Sequence, residues 1–442
     1  MRLFSKKDLY LLIIPLMLEQ ILGVTVGMAD TVMVSGAGEA AVSGVSLVDT
    51  LNVLLINVFT SLATGGAVVA ARYLGNKNEE KACKAANQLL LSITALASFV
   101  MIIALVGNKA VLHFIYGNLD AEVMGHATIY FYLTALSFPF LAIYSAGAAL
   151  CRSMGNTKLT MVTSIIVNVI NVIGNAILVF GFGMGASGVG TSTLVSRIVG
   201  AVVMIIIIHN QKQPIHIDVK FRLGYHPAMI KKICNIGIPT GIDSCVFQVG
   251  KLMVQSFVAG FGTTAIAANA VAGNISGFVV IPGASIGLAV ITVIGQCVGA
   301  KAYEDVKYYI KKLMKMAYVS MFLLNIVIIL IAKQIVGIYH LSTEASGMAT
   351  IIIISYAIAA IILWPSSFTL PNVLRASDDS KYTMYVSIIS MWVFRVASCY
   401  LLDYFFHMGI YGAWLAMYVD WACRAFFFIR RTVKKKWDNV VT

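Results

Sequence analysis

Residues 9–34 read LYLLIIPLMLEQILGVTVGMADTVMV. The stretch holds two carboxylates, Glu19 and Asp30, one proline, Pro15, and no basic side chain. As a helix it rises about 39 Å, more than the roughly 30 Å of hydrocarbon in a bilayer. A basic start, Arg2, Lys6 and Lys7, precedes it, as in a leader peptide. The apolar run is too long for a leader and shows no small-residue cleavage site, so it reads as a first membrane helix.

Runs of the same kind fill the rest of the chain. Of 442 residues, 59% are hydrophobic and 12% charged, with mean hydropathy +0.87. A soluble domain carries about a quarter charged residues, so most of this surface cannot face water. In lipid each segment must satisfy its own backbone, and the alternation of a membrane barrel is absent, so the runs are helices. Breaks rich in turn residues place twelve of them near 9–34, 42–72, 84–107, 125–150, 158–181, 187–210, 230–260, 264–299, 305–332, 346–373, 381–404 and 409–431.

The net charge of +13 is sorted by connection. Alternate connections hold nearly all of the Lys and Arg, among them Arg72, Lys77, Arg152, Lys231, Lys301, Arg375 and Arg431, whereas the others hold only Lys109 and Lys333. The positive-inside rule predicts that both termini face the cytoplasm, in the inner (plasma) membrane, as a multi-pass protein. Basic charge placed this way meets anionic lipid heads and gives no reason to expect nucleic acid as a partner. The seven cysteines are scattered without a CxxC pair and read as small hydrophobes. No HExxH or phosphate-binding loop occurs, so neither a metal nor an organic cofactor is expected, and an enzyme has no support.

The chain repeats itself. Ile14-Pro15 corresponds to Ile238-Pro239, Glu19 to Asp243, Gly36 and Gly38 to Gly260 and Gly262, and Lys77 to Lys301, each shifted by 224 residues. With one residue less, Arg152, Lys158 and Thr160 correspond to Arg375, Lys381 and Thr383; Met184 and Gly185 return to the first shift, on Met408 and Gly409. Six helices cross an even number of times, so the halves are parallel repeats. The expected organisation is a six-helix bundle over 1–210, a cytoplasmic linker over 211–229, a second bundle over 230–431 and a basic tail over 432–442. Two similar bundles suit alternating access, and a channel would more often repeat as whole subunits.

Ionisable groups inside a membrane are costly and point to function. They are Glu19, Asp30, Asp49, Arg197, Asp243, Lys251, Arg395 and Asp420. Glu19 and Asp30, eleven residues apart, share one face of the first helix. Asn168, Asn171 and Asn175 form a stripe on the fifth helix. Asp30, Asn171 and Asn175 fall at matching depth and can form one polar network, whereas the second half has Val254, Phe394 and Ser398 there. Structural readings stand beside these: Asp30 as an interfacial residue, the asparagines as glue between helices, Glu19 and Asp243 as partners for backbone freed by the prolines. Asp420 and Arg424, one turn apart, read as a structural pair, and Lys251 either faces a cavity or pairs with an acid on another helix.

Pro15-Leu16 with Glu19-Gln20, MADTVMVSGAG around Asp30, LCRSMGN at 150–156, NVIGN at 171–175, GQCVGAK at 295–301 and TLPNVLRASDDSK at 369–381 span nearly the whole chain. In order and spacing they resemble the multidrug and toxic compound extrusion (MATE) transporters. The resemblance implies an all-α membrane protein of two six-helix bundles in a V. It implies a monomeric antiporter that exports organic cations or other amphipathic, drug-like compounds in exchange for H+ or Na+. The coupling carboxylate of that family maps onto Asp30, and the helix-five pair, usually Asn then Asp, maps onto Asn171 and Asn175. Some relatives use an acid on the seventh helix, for which Asp243 is the nearest match; their partner acid on the tenth helix is not evident. The rival within transport is a flippase or exporter of a lipid-linked or other endogenous metabolite. Such proteins often carry extra helices and more basic cavities, which this sequence does not display.

Overall fold

The computed structural model describes residues 2–35, 38–117, 120–217 and 224–435, with backbone alone at 28–32 and 35. Every regular element among them is a helix. The first half builds α1 (Lys6–Ser35), α2 (Glu39–Gly75), α3 (Glu79–Val106), α4 (Ala121–Leu136 with Phe138–Ser153), α5 (Thr157–Gly181) and α6 (Gly185–His209). The second builds α7 (Pro227–Ala259), α8 (Thr263–Val279 with Ile281–Gly299), α9 (Tyr303–Leu330), α10 (Thr343–Ala376), α11 (Ser380–Phe406) and α12 (Gly409–Lys434). These are the twelve helices expected. Nine are long and apolar enough to cross a membrane, ten with the bent α4. The two that fall short, α7 and α12, run for 33 and 26 residues but carry Asp243 and Lys251, or Asp420 and Arg424, within them.

Several of the expected helices are interrupted. α4 bends by 47° at Ser137, just before Pro139. α8 breaks at Val280, and its second part restarts with Pro282 at the first turn, where a missing N–H costs nothing. α10 passes through a π turn at Pro365–Thr369, because Pro365 cannot donate to the carbonyl a turn earlier. Further π segments lie at Ala176–Gly181 and Ser390–Ala397. The latter spans the region where the repeat register gains one residue, the insertion a π turn absorbs.

Pro15 sits inside α1 and frees the carbonyl of Leu11. The Thr157 hydroxyl, at the start of α5, donates to that oxygen at 3.1 Å and to Leu12 O at 2.9 Å. Thus a side chain from a neighbouring helix, not Glu19, meets the freed group.

The repeat is written into the backbone. Among the described residues, all those with left-handed φ fall into equivalent pairs: Gly38 and Gly262, Lys77 and Lys301, Gly117 and His340, Gly155 and Asp378, Gly183 and His407, Gly185 and Gly409. At Lys77 (φ 55°) and Lys301 (φ 56°) a residue other than glycine accepts this conformation. The turn there closes with the same three bonds in both halves, Asn76 N to Arg72 O, Lys77 N to Leu74 O and Asn78 N to Tyr73 O in the first.

Contacts divide the chain into two compact units, one of residues 10–241 and the other of 1–9 with 242–442. The first packs through small residues: a Cβ on Gly44 of α2 would stand 2.8 Å from Ala127 N of α4. The core of the second includes Tyr356, Trp364 and Trp421 with Ala268, Ala349 and Ala360.

Candidate functional site

Each unit encloses a cavity. In the first unit a space of ≈ 450 Å³ is walled by α1 through Gly23, Val26, Gly27 and Val34, and closed by α2, α4, α5 and α6. Asp49 of α2 and Arg197 of α6 supply its described charges. Tyr130 Oη of α4 donates to Asp49 Oδ1 at 2.8 Å, and Asn52 Nδ2 donates to the same oxygen at 3.3 Å. Arg197 Nη1 donates to Ser137 Oγ at 2.7 Å, at the bend in α4, and Ser137 Oγ in turn donates to Thr134 O at 2.6 Å.

The asparagine stripe of α5 faces this cavity in part. Asn168 and Asn171 line it. Asn168 Nδ2 donates to Ser164 Oγ at 3.3 Å, and Asn171 Nδ2 to Thr193 Oγ1 at 3.4 Å. Asn175 lies behind the wall, fully buried, and donates from Nδ2 to Asn171 Oδ1 at 3.4 Å. Asn171 and Asn175 are therefore linked from the cavity into the packed interior, while Asn168 bonds Ser164. The Asp30 side chain lies outside the described residues.

Glu19 and Asp243 line neither cavity. Glu19 Oε1 is 3.4 Å from Arg152 Nη1, and Thr160 Oγ1 donates to Glu19 Oε2 at 3.0 Å. Asp243 Oδ2 is 2.6 Å from Arg375 Nη2. Acid and arginine are repeat-equivalent in both pairs, so one ion pair has been kept twice. The sequence register aligned the four residues, but only the packing of the bundles brings acid to base.

The second unit holds a cavity of ≈ 540 Å³. Lys251 of α7 and Arg395 of α11 line it, with Phe247, Trp364, Trp414 and Trp421 among its walls. The two cavities occupy equivalent places in the repeat. Gly23, Gly27, Asp49, Ile56, Val189 and Arg197 of the first become Phe247, Lys251, Gly273, Val280, Ala413 and Trp421 of the second, each lining its own space. Asp49 and Arg197 stood among the ionisable candidates in the sequence, yet no spacing on one helix shows that α2 and α6 bring them to one cavity. Among the described residues no group of three His, Cys, Asp or Glu side chains is placed to hold a metal ion.

The family model MatE matches residues 15–177 and, 224 positions later, 239–401. The chain belongs to the MatE family. This MatE transporter is 27% identical over 441 residues to the uncharacterized transporter YisQ of Bacillus subtilis (strain 168), covering 97% of this chain and 94% of that one. It is 26% identical to the probable multidrug resistance protein NorM of Thermotoga maritima, covering 98% and 93%. A solved structure described as the outward-facing conformation of a multidrug resistance MATE family transporter of the MOP superfamily superposes with a TM-score of 0.91 at 18% identity, over 97% of this chain and 95% of that one. That likeness establishes the MATE fold, with its repeated domain, for an all-α multi-pass membrane protein.

Proposed function

We propose that this MatE transporter is a multidrug exporter that moves organic cations or amphipathic drugs out of the cell against an inward flow of H+ or Na+. The cation acts in the cavity of the first unit. The observation that carries this reading is a carboxylate, Asp49, held on a cavity wall by Tyr130 and Asn52, with Asn168 and Asn171 in the same space. A carboxylate inside a membrane binds a proton or a metal cation when it is exposed to the side of high concentration, and its charge is what the substrate competes for. The repeat register supports Asp30 as the second acid, since its equivalent, Val254, lines the other cavity.

The cycle has two halves. Uptake of the cation from outside neutralises the acids, the α1 wall shifts, and the substrate leaves. Release of the cation to the cytoplasm restores negative charge and readies the cavity for the next substrate. In the α1 wall a Cβ at Gly23 or Gly27 would meet nothing within 4 Å. The distribution of Lys and Arg supports cytoplasmic termini.

Efflux of a fluorescent organic cation from vesicles tests this, with the H+ and Na+ gradients collapsed separately. One collapse should stop efflux and the other should not. Asp49→Asn and Asp30→Asn should each lower efflux by at least about 10-fold while the protein still elutes as a folded particle. Efflux that survives collapse of both gradients, or that is normal in both variants, overturns the reading.

A further inference from the structure

The two cavities share a register and differ in charge. Where the first has Asp49, the second has Gly273; where the first has Gly27, the second has Lys251. Arg395 adds a second cation to the second cavity, and among the described residues no Asp or Glu lines it. Arg395 is 7% exposed, and its Nε has no hydrogen-bond partner. Trp421 is 2% exposed, and its indole Nε1 is likewise without one. Both residues line the cavity together with Lys251. Unmet buried donors are costly, and a guanidinium offers a fork that suits an oxyanion.

An acid of the same unit, Asp420, is paired with Arg424 through one oxygen. Asp420 of α12 accepts from Arg424 Nε at 2.8 Å and from Ser390 Oγ through the same oxygen. Arg424 and Arg395 each place the guanidinium carbon 5.5 Å from the Phe247 ring. Arg424 is thus paired with Asp420, and Arg395 stands on the same Phe247 ring. The remaining walls are aromatic: Trp364 stacks on Phe368 with centroids 5.2 Å apart, and Phe368 meets Trp421 at 5.7 Å. A space of ≈ 540 Å³ is the size of a drug-like molecule.

We infer that the cavity of the second unit is a binding site for an aromatic organic anion, its carboxylate or sulfonate held by Arg395 and Lys251 and its ring body between the tryptophans. The site is separate from the coupling cavity, and its occupancy does not depend on an ion gradient. Failure of coupling would therefore leave it intact.

The test is equilibrium binding to the full chain in nanodiscs of zwitterionic lipid, read by tryptophan fluorescence. Three of the five tryptophans, Trp364, Trp414 and Trp421, line the site. Naphthalene-1-sulfonate should bind saturably, at least about 10-fold tighter than 1-naphthylmethylammonium of similar shape. Arg395→Gln should weaken the sulfonate by about 10-fold or more, and Lys251→Gln by about 5-fold. Lys251 is exposed, so Lys251→Glu keeps the test decisive if the Arg395 variant does not fold; it should remove the preference for the anion. Equal or tighter binding of the ammonium probe overturns the inference, as does sulfonate affinity within twofold of wild type in the folded variants. A 10-fold loss of sulfonate affinity in discs containing phosphatidylglycerol would assign the two cations to a lipid head and overturn it also.

Discussion

At the scale of residues, the charges sort by what meets them. Asp243 and Arg375 are close and shielded, with side chains 8% and 17% exposed at 2.6 Å, whereas Glu19 and Arg152 lie at 3.4 Å. Breaking a shielded pair leaves one charge stranded, at a cost of about 3–5 kcal/mol. Asp243→Asn should therefore lower the thermal midpoint in detergent more than Glu19→Gln. Adding Arg375→Gln to Asp243→Asn should recover part of the loss, and a double-mutant cycle measures the coupling. Asp379, in the turn before α11, is different in kind. Burial raises its pKa, but hydrogen bonds from Arg431 at 2.7 and 3.1 Å, with Lys435 at 3.4 Å, outweigh it and hold the carboxyl below its ordinary 3.8. A carboxyl lowered on folding stabilises above the unfolded value, and that contribution is lost as pH falls from 3.8 through the lower folded value. Melting curves between pH 5 and pH 2.5 should show a smaller acid loss in Asp379→Asn than in wild type, with Asp379→Asn already less stable at pH 5. Parallel curves in the two proteins would contradict this.

Among elements, close approach decides. Gly65 of α2 faces the start of α7, where a Cβ would stand 2.6 Å from Ile233 O and 2.8 Å from Gly237 N. Both neighbours are backbone and cannot turn aside. Gly65→Val should cost about 1–3 kcal/mol through forced separation of the two helices, seen as a lower thermal midpoint of the purified protein. A midpoint unchanged within a degree would show that α7 accommodates the methyls. That contact also explains why α7 is divided between the units: residues 227–241 pack with the first and the rest with the second.

Across the whole molecule the same exchange is reciprocal. Residues 1–9 belong to the unit built by the second half, while 227–241 belong to the unit built by the first. Phe4 is the anchor at the amino end. Tyr309 Oη of α9 donates to Phe4 O at 2.6 Å and accepts from Phe4 N at 2.8 Å, and the two rings meet edge to face at 5.9 Å. Arg2 stacks on Tyr308, 3.2 Å from the ring centroid. Tyr309→Phe removes two hydrogen bonds and keeps the ring, so it should cost about 1–3 kcal/mol and increase proteolysis near residue 4 under native conditions. An unchanged cleavage rate would mean that the rings alone fix the terminus.

The sequence by itself determined the helical membrane class, the twelve segments and the parallel repeat. Long apolar runs leave the backbone no other solution in lipid, and Pro15 with Pro239, Gly38 with Gly262 and Lys77 with Lys301 mark the register along one dimension. It also exposed Asn168, Asn171 and Asn175 as one stripe, because their spacing matches the helical turn. What only the tertiary structure decided is which side chains on different helices meet. Spacing cannot show that Glu19 finds Arg152, that Thr157 satisfies the carbonyl freed by Pro15, or that Asp49 and Arg197 enter one cavity while Lys251 and Arg395 enter another. Those meetings depend on helix packing between segments far apart in the chain, where a shift of one residue turns a side chain about 100° away from its partner.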